Sequence, residues 1–159
     1  MSISSNLASY LDQRGARYEV VAHAHSRTSA ETARSANVMA CHLAKSVILE
    51  DDDGYVMAVI PADKAVRVGE LGRLLQRREL RLTDENRVAM LFTDCEPGAV
   101  PSIGMPWGIE TVVDDELEES EIVYMEGGDH ERLLRMSHDN FHALMRAQPH
   151  GQFCKYPTH

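Results

Sequence analysis

The chain lacks most of the features that announce a function directly. Its three cysteines, Cys41, Cys95 and Cys154, are an odd number without CxxC spacing, which excludes a disulfide framework or a zinc ribbon and fits a reducing compartment. No apolar run approaches the ~20 residues of a membrane helix, and Met1-Ser2-Ile3-Ser4-Ser5-Asn6 has no basic segment leading into an apolar one; a cytoplasmic protein without a membrane partner is expected. Basic charge is scarce as well, with 16 Lys and Arg against 25 Asp and Glu and a net charge of -9. That argues against DNA or any broad nucleic-acid surface, while leaving room for a local contact with an RNA end. There is no GxGxxG after a strand, no GxxxxGK[ST], no GxSxG, no HExxH and no carboxylate pair in a glycosidase setting, so no cofactor is called for and the commonest hydrolase motifs are missing.

What is present reads as one domain over residues 1–159, ordinary in its 43% hydrophobic and 26% charged composition. Ile3, Leu7, Tyr10 and Leu11 before Gly15 predict a first helix. Residues 18–22 predict a strand, and Thr28-Ser29-Ala30-Glu31 has capping-box spacing for a helix over 29–37. Two β-branched runs, 46–50 and 55–60, flank Asp51-Asp52-Asp53-Gly54 and predict a hairpin covered on both faces. A helix follows with Val68, Leu71, Leu74 and Leu75 inward and Arg73, Arg77 and Arg78 outward, and Thr83-Asp84-Glu85 starts another. Strands are expected at 109–113, 121–125 and 132–136, then a helix capped by Ser137 that ends before Pro149, with 148–159 as a tail. Strands joined by short turns imply a mixed, mainly antiparallel sheet rather than a doubly wound one.

The eight histidines scatter, with His130, His138, His142, His150 and His159 in the last third. His138 and His142 stand at i, i+4 and permit a metal pair, but without an HExxH glutamate a solvated helix face is favoured and no metal is assigned.

Two features carry chemistry. The first is Cys95-Glu96-Pro97-Gly98-Ala99-Val100-Pro101-Ser102-Ile103-Gly104-Met105-Pro106-Trp107-Gly108, too rich in proline and glycine for regular structure. Such a loop can bring backbone N–H groups to a ligand. The second is Lys45 at the start of an apolar strand. Its ammonium either snorkels to solvent or meets a phosphate or carbonyl at the mouth of a pocket. Cys95 can be asked to act as a nucleophile with His25 or His130, but Asp94 and Glu96 oppose thiolate formation and favour a structural cysteine.

Lys45, the Asp-Gly hairpin, Val59-Ile60-Pro61-Ala62-Asp63, the loop from Glu96 to Pro101 with Gly104, Val112-Val113-Asp114-Asp115 and Gly127-Gly128-Asp129-His130 together resemble the YbaK family over about residues 20–147. These are aminoacyl-tRNA deacylases related to the editing domain of bacterial prolyl-tRNA synthetases. The resemblance implies an α+β fold with a strongly curved, mixed sheet of six or seven strands flanked by helices. It also implies hydrolysis of the ester joining a wrong amino acid to the 3′ end of a tRNA, with that end and a synthetase as partners. Lys45 takes the catalytic role with backbone groups of Gly98, Ala99 and Val100, and Pro101 and Gly104 of the same loop bind the substrate. His25, Thr28, Ser46 and His130 either line the pocket or are ordinary cap and turn residues. An ester beside a ribose hydroxyl needs orientation and oxyanion stabilisation more than a strong base, so the missing triad is no obstacle. Cys95, Ser102-Ile103 and Ser46 depart from residues usual in relatives, which implies an altered amino-acid pocket. A noncatalytic module binding an amino acid or aminoacyl-adenosine, and a thiol hydrolase built on Cys95, are the alternatives.

Overall fold

The computed structural model describes residues 3–157; His159 lies outside them. Helix α1, Ser5–Gln13, is capped by Ser4, whose Oγ accepts from the Leu7 N–H, and it buries Leu7 and Leu11. Strand β1, Glu19–Ala22, leads to α2, Ser29–Ser35, where the Thr28 hydroxyl accepts from the Glu31 N–H at 3.1 Å. The Glu31 carboxylate reaches back to the Arg27 N–H at 2.8 Å, one residue earlier than a standard capping box.

The hairpin pairs β2, Ala44–Asp51, with β3, Gly54–Pro61, in antiparallel register from Ala44↔Pro61 to Asp51↔Gly54. Its two turn residues are Asp52 and Asp53, and Gly54 opens the return strand with φ +131°. The continuous apolar run of β3 has the cause the sequence suggests: both faces are covered. Met57 and Val59 join a core with α1, Phe141 and Leu144, while Val56, Ala58 and Ile60 join a second core with Leu71 and Phe153.

Strand β4, Ala65–Val66, precedes α3, Val68–Leu75; then come β5, Arg81–Leu82, and α4, Glu85–Leu91, capped by Asp84. Strands β6, Glu110–Asp114, β7, Ile122–Glu126, and β8, Arg132–Ser137, lead to α5, His138–Met145, capped by Ser137. Short strands β9, His150–Gly151, and β10, Cys154–Lys155, follow. The five-stranded sheet runs β5-β2-β3-β6-β9, the three-stranded one β1-β8-β7, and β10 pairs with β4. Five pairings are antiparallel, β3–β6 and β6–β9 are parallel, and a parallel bridge Leu43↔Tyr124 links the two larger sheets. The mixed, mainly antiparallel α+β architecture is as expected.

Two regions differ from the sequence reading. Residues 148–157 are not a loose tail: β9 and β10 pair with β6 and β4, Phe153 is fully buried, and Asp114 Oδ2 accepts from the Phe153 and Cys154 N–H groups at 2.8 and 2.9 Å. Arg77 does not lie on the outer side of α3. The helix ends at Leu75 with Gln76 left-handed at φ +55°, which turns Arg77 inward to a two-pronged contact with Asp51 at 2.6 and 2.8 Å and to the Gly54 carbonyl at 2.9 Å. Arg77 thereby locks the hairpin turn. Its hydrogen bonds are the main reason the Asp51 carboxyl falls to about 2.

Because the folded value lies below the ordinary ~3.9, this contact stabilises the fold fully above that pH and is lost as pH falls toward 2. Arg77→Met should therefore melt below wild type at pH 7, with the gap narrowing between pH 4 and pH 2. Thermal melts across that range check it, and a constant gap would refute the linkage.

Candidate functional site

One edge of β2 is paired at both ends and open between them. Leu43 bridges Tyr124 next to the strand's start, Leu49 pairs with Leu82 of β5 near its end, and no strand pairs with this edge between those points among the described residues. The gap is a cleft of about 300 Å³. Lys45, Ser46, Val47 and Ile48 form its floor; Arg27, Thr28 and Ser29 at the start of α2 and Leu82, Thr83, Glu85 and Val88 of the β5–α4 segment form two sides. Gly98 and Val100 close a third, with Glu126 at the end of β7.

Lys45 is half-buried, and its ammonium makes no hydrogen bond or ion pair among the described residues. Burial draws its pKa below the usual lysine value, with the charge of Asp63 opposing. Half-buried in the lining of a cleft, Lys45 stands where a pocket ligand could meet it.

The loop expected to supply backbone donors is held by specific bonds. The Ser46 hydroxyl donates to the Val100 carbonyl at 3.2 Å, which ties the loop to β2. The Glu96 N–H donates to the Gly128 carbonyl at 2.8 Å, and His130 Nε2–H donates to the Pro97 carbonyl at 2.5 Å. The Ala99 N–H is taken by the Glu96 carbonyl at 3.0 Å, so of the three expected donors Ala99 is spent, whereas the Gly98 and Val100 N–H groups have no intramolecular acceptor among the described residues. Gly98 has to be glycine: φ is +81°, and a Cβ there would stand 3.2 Å from both His130 Nε2 and the Arg27 carbonyl.

The other expected site residues divide by position. Thr28 and Ser46 line the cleft, although each also has a structural bond. His130 is buried behind Gly98 with φ +61°, and its ring meets the exposed His25 edge-on at 5.7 Å; neither is in the lining. His130 supports the wall from behind. Pro101 and Gly104 are buried beneath the loop, and a Cβ on Gly104 would fall 2.6 Å from Thr111 Oγ1. Cys95 is pushed up to about 12 by burial and by Asp94, which leaves no thiolate for nucleophilic attack near neutral pH. Away from the cleft, Glu118 Oε2 lies 3.0 Å from His138 Nε2 and 2.9 Å from His142 Nδ1, so the i, i+4 histidines share a carboxylate on the helix face.

Four lining residues were not singled out from sequence: Arg27, Leu82, Val88 and Glu126. Glu126 is the telling one. Its carboxyl is buried, 4% exposed, and neither oxygen has a hydrogen bond of ordinary geometry. Burial raises its pKa to about 7; the neighbouring Thr32 hydroxyl opposes this but is engaged with Ser26 at 2.5 Å, and the charge of Asp129 adds to the rise. In sequence it is a glutamate between a strand and a double glycine, where a solvated side chain is the default. Only the sheet pairing shows that it turns inward.

Since the folded pKa exceeds the ordinary ~4.3, ionisation of Glu126 works against the fold: stability is full below that value and is lost as pH rises to about 7. Glu126→Gln should be more stable than wild type at pH 8, by on the order of 3 kcal/mol, with the gap closing toward pH 4. Denaturant unfolding at the two pH values checks this; a gap independent of pH would show that the carboxyl is solvated.

Comparison with known proteins bears on the fold and the family. No curated protein matches. Among solved structures, the hypothetical protein APE2540 superimposes with a TM-score of 0.84 at 25% identity, over 95% of this chain and 100% of that one. A protein proposed to be a trans-editing enzyme for prolyl tRNA synthetase gives 0.81 at 21% identity, over 96% of each chain. A signal-transduction protein, so named provisionally, from Marinobacter aquaeolei VT8 gives 0.73 at 22% identity, over 94% of this chain and 30% of its own. The family model of the aminoacyl-tRNA editing domain matches residues 23–144, which takes in Lys45, the loop and Glu126. The chain belongs to the aminoacyl-tRNA editing domain family, the YbaK family.

Proposed function

We propose that this protein is a free-standing deacylase that acts in trans on a mischarged tRNA, hydrolysing the ester between the amino acid and the terminal adenosine, in the cytoplasm and as part of translational quality control. The observation that carries the reading is the unpaired Lys45 ammonium in the cleft, beside two backbone N–H groups, those of Gly98 and Val100, with no intramolecular acceptor. An ester carbonyl lying against Gly98 and Val100 would have its developing oxyanion met by those donors, and Lys45 would hold the terminal phosphate or the acyl carbonyl. Water adds to the carbonyl carbon, the ester C–O bond breaks, and the ribose oxygen leaves with a proton; the neighbouring ribose hydroxyl orients that water, so the protein needs no general base of its own.

The cleft contributes orientation rather than acid–base chemistry. A cavity of about 300 Å³ suits a small aminoacyl group with part of the terminal adenosine outside it. The rest of the tRNA needs little of this acidic surface, because a single-stranded end is gripped by stacking and a few phosphate contacts. A synthetase that hands over its mischarged product is the natural protein partner.

Deacylation of tRNAs charged with alanine, serine, cysteine, threonine and proline should show turnover of at least one. Lys45→Ala should lower kcat/KM on it by about a hundredfold or more with the melting temperature kept. Gly98→Ala should also reduce kcat, because the added Cβ displaces the loop from His130 and Arg27. Saturable binding of aminoacyl-adenosine without turnover on any tRNA would favour a binding module instead.

A further inference from the structure

Lys45 and Glu126 lie on the two segments that meet at the isolated Leu43–Tyr124 bridge. The parallel bridge pairs Leu43 with Tyr124, and Lys45 and Glu126 each lie two residues further along. Because side chains alternate along a strand, both project on the same side as the bridged pair. Both line the cleft, yet no ion pair joins them among the described residues. A cation and a buried anion that line one cleft without being joined suit a ligand that carries both signs. An aminoacyl ester on a nucleotide is one: a phosphate lies beyond the sugar on one side of the ester, and an α-ammonium lies one carbon away on the other.

We infer that Glu126 is the receptor for the α-ammonium group of the aminoacyl ester, binding it through its otherwise unpartnered carboxylate. This rests on the deacylase reading for the identity of the ligand. Several features of the cleft favour it. Both Glu126 oxygens lack partners in a residue only 4% exposed, a costly arrangement unless a donor arrives with the ligand. The cleft's cationic side chains, Lys45 and Arg27, are suited to phosphate, and the ammonium needs a site away from them. Glu85 is the other carboxylate in the lining, but it is exposed on the first turn of α4, where solvent competes for it. Asp129, buried behind the turn, is already committed to the Glu131 and Arg132 N–H groups at 2.9 and 3.0 Å and to the Arg132 guanidinium. Glu126 alone is both buried and free. An N-blocked aminoacyl group would leave the carboxylate facing a neutral amide, so the site would discriminate free amino acids from N-acylated ones.

The test uses non-hydrolysable 3′-aminoacylamino-3′-deoxyadenosines carrying alanine, serine or proline, each with a free or an N-acetylated amine. Binding to the full-length protein is measured by calorimetry for wild type and Glu126→Gln. Wild type should prefer the free amine by about tenfold or more, the worth of one charge-assisted hydrogen bond. In Glu126→Gln that preference should fall to about twofold or less, through weaker binding of the free amine alone. Equal affinities in wild type, no binding of any probe, or a preference that survives the substitution would each overturn the assignment. Turnover is not needed, so the two readings fail separately. Amine-selective binding without hydrolysis of any aminoacyl-tRNA refutes the deacylase and keeps Glu126. Hydrolysis without amine selectivity does the reverse.

Discussion

The interrupted edge of β2 is the constraint from which the cleft follows. A strand edge normally continues its ladder or is blunted, because a row of unpaired N–H and C=O groups invites a partner. Here β7 holds one end through Leu43 and β5 holds the other through Leu49, and the strand between them is left as a floor. Four successive residues of β2 therefore line the cleft, where a fully paired strand would offer only alternate ones. The hairpin can carry this exposure because β3, its other neighbour, is buried on both faces and packed into two cores, so the floor is backed by the most rigid part of the molecule. A site built on such a strand is positioned more firmly than one built on loops alone.

The Pro/Gly loop acquires comparable rigidity by borrowing it. Glu96 bonds to Gly128, Pro97 to His130 and Val100 to Ser46, so the loop is stitched to the end of β7 and to β2 at the same time. The strain is concentrated on the opposite partner, where His130 adopts a left-handed conformation and Gly128 has φ +114°. Asp129 supports that turn through its bonds to Glu131 and Arg132. Strained turns held by such over-determined contacts are where proteins keep functional geometry. Glu126 lies just before this turn, so the segment that props the loop also presents the buried carboxylate to the cleft.

Much of this arrangement was legible in the sequence wherever a local rule governs. The caps at Thr28 and Ser137 are written in hydroxyl spacing, the hairpin in two β-branched runs, and the loop in proline and glycine. Lys45 was legible as a residue but not as a choice, since its strand position allows either solvent or a pocket. What was hidden depends on long-range pairing. Arg77 reads as an exposed helix residue until Gln76 turns the chain, residues 148–157 read as a tail until Phe153 finds the second core, and Glu126 reads as solvated until the β7–β8 pairing buries it. His130 reads either as a pocket residue or as an ordinary turn residue, and in the fold its ring bonds to the Pro97 carbonyl.

The departures from familiar relatives take on a different meaning once they are located. Cys95, Ser102, Ile103 and Ser46 suggest an altered amino-acid pocket when read along the sequence, and Ser46 does line the cleft, but Cys95, Ser102 and Ile103 do not. Ser102 and Ile103 are fully buried, Ile103 in the core beneath the loop, and the Cys95 thiol packs close to Gly128. They change how the wall is propped, not what it shows to a ligand. On the deacylase reading, the side chains that would face an acyl group are instead Ile48 on the floor and Leu82, Thr83 and Val88 on the β5–α4 side. Thr83 is notable among them because its hydroxyl is buried without a partner while its N–H is held by Ile48. A pocket with aliphatic walls and one free hydroxyl admits small side chains readily and rejects a missing or extra methylene only weakly, by about 1–3 kcal/mol. Selection by a deacylase with this pocket would therefore draw on what every aminoacyl ester shares as well as on side-chain size. On that reading the carboxylate of Glu126 would bind the shared part, and the β5–α4 segment would tell the amino acids apart.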